Sequence, residues 1–157
     1  MKKTAFILAV VIMISLFSAC GGSGAKDPGF ETVANGISAA SGLSGLIEVD
    51  ANYIANMLKL GEGDYAECKV MLSNTGTSID EYGVFRGSDE EQAKAIETAL
   101  NDYLQFRLSV WMEEYLPEEL PKLQNAKVTA EGCYVMYAIV SDSVRAQVDS
   151  AFADCFR

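Results

Sequence analysis

The sequence predicts an α+β domain: a helical N-terminal lead, then a ββαββα order with a four-stranded, mainly antiparallel sheet and two helices packed on one face. Three observations carry this. Residues 65–72 and 126–131 alternate with the period of a half-buried strand. Residues 93–115 carry an apolar stripe at helical spacing. The strand-like runs are joined in pairs by short polar turns, which favour antiparallel pairing. Two separate ββα halves meeting only through their helices are the alternative arrangement.

The elements follow in order. Phe30, Val33, Ile37 and Ala40 recur at helical spacing, and Gly42 and Gly45 break the pattern. Asp50 is a good N-cap for a second short helix with Ile54, Met57 and Leu58 on its apolar face and Gly61 past its end. The first strand places Ala66, Cys68, Val70 and Leu72 on one face. Residues 73–78 form a polar turn, and residues 79–86 a second strand completing a hairpin. Ser88 with Glu91 reads as a capping box opening the main helix, whose stripe is Ala93, Ile96, Leu100, Tyr103, Leu104, Leu108, Trp111 and Tyr115. Pro117 ends that helix. A third strand spans 126–131, Gly132 turns the chain, and residues 134–140 are apolar on both faces, so this fourth strand is central. Ser141 and Asp142 cap a last helix burying Val144, Val148, Ala151, Phe152 and Cys155.

The first 19 residues read as a targeting segment. Lys2 and Lys3 precede an uncharged apolar stretch of 15 residues, Ala5 to Ala19. A membrane span needs about 20, so the stretch suits a signal peptide. It ends in Ser18-Ala19-Cys20, which resembles the lipobox of bacterial lipoproteins, with Phe17 where that motif usually has leucine. The resemblance implies lipidation of Cys20, cleavage before it, and anchoring to the outer face of the cytoplasmic membrane. An ordinary secretory peptide cut near Ala19 is the alternative. Residues 20–29 are rich in Gly and Ser and read as a flexible tether with a span of roughly 17 Å. The folded domain is 30–157.

Charge narrows the function. The chain carries 12 basic and 22 acidic residues and no histidine, a formal net charge of -10. Loss of Lys2 and Lys3 with the leader takes this to -12. Such a balance argues against nucleic acid as a partner and against binding anionic lipid through a basic patch. Without histidine there is no Ser-His-Asp or Cys-His nucleophile pair and no His-ligated zinc. No Cys-x-x-Cys pair or EF-hand pattern occurs, so no metal or cofactor is expected. Cys68, Cys133 and Cys155 are an odd set for an exported domain. They read either as buried small hydrophobes or as one disulfide, Cys68–Cys155, with a thiol left over.

The carboxylates offer many candidate acid/base pairs, among them Asp64, Asp80 with Glu81, Glu113 with Glu114, and Glu118 with Glu119, and as sequence they are indistinguishable from solvated surface. No catalytic residue is expected. The leading expectation is a non-enzymatic, lipid-anchored binding or adaptor domain whose partner is an envelope protein or a polar ligand. The alternatives are an envelope hydrolase using paired carboxylates and an oligomeric assembly module.

Several segments carry a family resemblance: Met71-Leu72-Ser73, Asp80 to Arg86, Asp89 to Ala93, Tyr115 to Glu118, Gly132 to Val135, and Ser141-Asp142. Together they resemble short lipoproteins of Gram-positive, Clostridia-type bacteria in the domain-of-unknown-function family 4358, over about residues 50–157. The resemblance implies the ββαββα order and a Gram-positive cell surface. It carries over no activity and no functional residue.

Overall fold

A computed structural model describes residues 27–112 and 114–157. The signal segment and Cys20 lie outside the described residues, as does all of the tether before Asp27. Among the described residues no helix is long and apolar enough to cross a membrane.

The domain is α+β, with a five-stranded antiparallel sheet. Its helices are α1 (Phe30–Ser41), α2 (Ala51–Tyr53, continuing as a π-helical turn over Ile54–Leu58), α3 (Glu90–Ser109), α4 (Leu120–Gln124) and α5 (Asp142–Asp154). Its strands are β1 (Leu46–Glu48), β2 (Glu67–Ser73), β3 (Glu81–Arg86), β4 (Lys127–Glu131) and β5 (Tyr134–Ile139), in the spatial order β1-β2-β3-β5-β4. β5 is an interior strand, as its two apolar faces predict, with β3 on one side and the edge strand β4 on the other.

Two expectations are corrected. The sheet has a fifth strand, because β1 pairs with β2 at Leu46↔Ser73, Ile47↔Leu72 and Glu48↔Met71. Three residues are too few to show a period. The helices also cover both faces rather than one. Tyr82, Val84, Tyr134, Met136 and Ala138 pack with α1 and α5, through Val33, Ile37, Val148 and Phe152. Phe85, Val135, Tyr137 and Ile139 pack with α2 and α3, through Leu58, Ile96, Leu100 and Tyr103. A sheet whose inner strands are apolar on both faces needs a helical layer on each.

The main helix differs in two details. Its N-cap is Asp89, which accepts from the Gln92 amide at 2.8 Å, while Gln92 Oε1 accepts from the Ser88 amide at 2.7 Å. The box is thus displaced by one residue. The helix also ends at Ser109, whose hydroxyl donates to the Phe106 carbonyl. Trp111 still packs on the core beyond that end, but Tyr115 is exposed.

The predicted tether is pinned at its last residues. Asp27 accepts from Tyr134 Oη at 2.5 Å, from Arg86 Nη2 at 2.9 Å and from the Gly29 amide at 2.9 Å. Burial pushes the Asp27 carboxyl up, but the Tyr134 hydroxyl, the Gly29 amide and the Arg86 charge together hold it below the usual carboxylate range.

Candidate functional site

The Asp80–Glu81 pair lies where β3 begins. Glu81 is 2 % exposed. Its Oε1 accepts from Tyr103 Oη at 2.8 Å and Tyr137 Oη at 2.5 Å, and its Oε2 accepts from Arg107 Nη1 at 2.8 Å. Arg107 Nη1 also donates to Tyr103 Oη at 2.6 Å. The Tyr53 hydroxyl meets that of Tyr103. A buried carboxylate is sustainable only with partners of this number and charge. Burial, then the Glu81 charge, push the Tyr103 and Tyr137 hydroxyls far above the usual phenol range, so both stay protonated donors.

Gly83 makes this hub possible. It pairs with Tyr137 across β3 and β5. A Cβ at Gly83 would sit 2.3 Å from a Tyr137 ring carbon and 3.1 Å from the Phe85 ring. The bare backbone lets the Tyr137 ring lie over β3 and reach Glu81.

A second ion cluster closes the same end of the sheet. Lys122 Nζ lies 2.8 Å from Asp80 Oδ1 and 2.8 Å from Glu119 Oε2. Ser78 donates to Asp80 Oδ2 at 2.8 Å, and the Ile79 amide donates to Glu119 at 3.0 Å. The structure therefore brings Asp80, Glu81 and Glu119 together, but each is held by a cation. Asp64 instead accepts from the Gly61 amide in its own turn, and Glu113 lies outside the described residues. A cavity of about 320 Å³ lies beside these ion pairs, lined in part by Tyr53, Ser73, Ser78 and Arg107.

A larger groove of about 570 Å³ runs between the π-helical turn and α3. Met57, Leu58, Ala99, Tyr103 and Phe106 give it apolar walls, and Asn56, Lys59 and Asp102 complete it. Met57 is 37 % exposed and Phe106 53 %. Met57 also lines the smaller cavity, so the two adjoin. Apolar surface continues one helical turn past Phe106 at exposed Val110. The wide π turn places Met57 at the groove, although the sequence pattern puts it on a buried helix face; such turns recur at functional sites. Lys59 ends the turn in the left-handed region at φ 61°, a conformation usually left to glycine.

Cys68 and Cys155 do not join each other. Cys68 and Cys155 are free, and the disulfide reading is corrected: Cys68 packs against the α3-side core and Cys155 against the α1/α5 core, with the sheet between them. Burial pushes both thiols above their ordinary range, which makes them poor nucleophiles. Cys133 is fully buried. Among the described residues, no three His, Cys, Asp or Glu side chains are grouped to hold a metal ion.

Sequence reading missed the groove. The signal present was Phe106, an aromatic outside the apolar stripe of α3.

A family model described as "Domain of unknown function (DUF4358)" matches residues 39–140. The match begins earlier than the sequence resemblance and stops before α5, so the sheet, α3 and the whole groove fall within it. No curated protein and no solved structure is similar enough to match. The match spans more than half of the chain, and the chain belongs to this family.

Proposed function

Starting from that family membership, which brings no activity with it, we propose that the protein is a non-enzymatic binding domain acting through the groove between the π turn and α3. It is held outside the cytoplasmic membrane of a Gram-positive cell by lipid on Cys20. One observation carries the binding role: an open apolar groove of about 570 Å³ with exposed Met57 and Phe106 at its walls. Volumes of about 300–1,000 Å³ with mostly apolar walls are those of small-ligand sites. The neighbouring carboxylates support binding rather than hydrolysis, since their ion pairs leave no free acid and base facing one another.

Two experiments test this. The first concerns the anchor. Cells fed a fatty-acid probe label the wild-type chain, and Cys20→Ala abolishes the label; equal labelling of both removes the lipoprotein reading. The second concerns the groove. The full chain purified from its own membranes carries an added mass in native mass spectrometry beyond that of the lipidated protein. Ala99→Trp, which fills the groove, loses it while melting normally. An added mass that Ala99→Trp retains, or none on either protein, counts against the groove.

A further inference from the structure

We propose that the groove takes an anionic amphiphile of the fatty-acid class: an acyl chain laid along Met57, Leu58, Ala99 and Phe106 with its carboxylate at Lys59. This deepens the reading of the groove as a binding site and rests on it. The walls offer little to a polar ligand. Tyr103, the aromatic floor, has its hydroxyl committed to Glu81 and Arg107, so it presents only its ring. Such a surface favours hydrocarbon, whose burial is worth most where no hydrogen bond is lost.

Charge then selects the head group. Among the described residues Lys59 is the one basic side chain outside an ion pair. Lys69, Arg86, Lys94, Arg107, Lys122, Lys127, Arg145 and Arg157 are each paired with a carboxylate. In a chain with 22 acids, this unpaired cation lines the apolar groove. Asp102 also lines it and opposes an anion. The carboxylate is therefore expected on the Lys59 side, and one charge suits the site better than two. The acid excess likewise disfavours a polyanionic head group.

The test uses the full chain in its own membranes and a photoactivatable palmitic acid carrying a diazirine in its tail. Expected adducts map to peptides containing Met57 or Phe106. Excess palmitate competes with the probe, whereas methyl palmitate and hexadecylamine compete poorly. Lys59→Met lowers groove labelling about fivefold, the upper effect of an exposed ion pair, and Asp102→Asn raises it. Labelling spread over the surface without enrichment in the groove, labelling unchanged by Lys59→Met, or better competition by the amine overturns the proposal. Phe106→Asp serves as a second groove variant should Ala99→Trp fold poorly. A groove-dependent added mass in the native measurement, without fatty-acid labelling, would leave the binding site standing and remove only this ligand class.

Discussion

Gly83→Ala lowers the stability of the domain by about 3 kcal/mol, the upper end for overpacking a core, and lowers its melting temperature by about 10 °C. The new methyl carbon would sit 2.3 Å from a Tyr137 ring carbon. Tyr137 is fully buried, and its hydroxyl is fixed on Glu81. The ring can move only by breaking that hydrogen bond or displacing Phe85. Thermal or urea unfolding measures the loss. A double-mutant cycle assigns its cause: in a Tyr137→Leu background, itself destabilised, the added cost of Gly83→Ala falls to below about 1 kcal/mol. An equal cost in both backgrounds would place the clash elsewhere.

Glu81→Ala is expected to cost about 3–5 kcal/mol, because it strands a mostly buried guanidinium and two buried hydroxyls together. The lower end applies, since the Arg107 side chain keeps 19 % exposure and its bond to Tyr103 Oη. Glu81→Gln costs less, about 1–3 kcal/mol, because an amide oxygen still accepts but the Arg107 charge goes unpaired. The ordering Ala worse than Gln is read from unfolding curves. Equal losses would mean that charge, which both variants remove, and not hydrogen bonding, dominates the hub. Tyr103 belongs both to this hub and to the groove wall, so Glu81→Ala also disturbs the groove floor.

Much of the fold is legible in the sequence because the signals are local. Alternation marks β2 and β4, Asp50 caps α2, and the long stripe marks α3. The two-sided apolar run of β5 correctly predicts a strand paired on both sides. The same run is read with helices on one face only, because a layer on each face follows only once β3 is placed, whose Tyr82 and Val84 face one core while Phe85 faces the other. β1 was illegible because it is three residues long and owes its conformation to β2. The Asp80–Glu81 pair was visible as two acids, but the partners that define Glu81 stand 22, 26 and 56 residues away in sequence. Gly83 likewise reads as a strand glycine until Tyr137 is placed above it. The groove depends on a π turn, which no period in Ile54–Leu58 announces.

The most direct test of the binding claim is an experimental structure of the full chain purified from its own membranes. Continuous ligand density is expected along Met57, Ala99 and Phe106, with a polar end near Lys59. A groove closed by its own side chains, with ligand bound on the α1/α5 face instead, would contradict that claim.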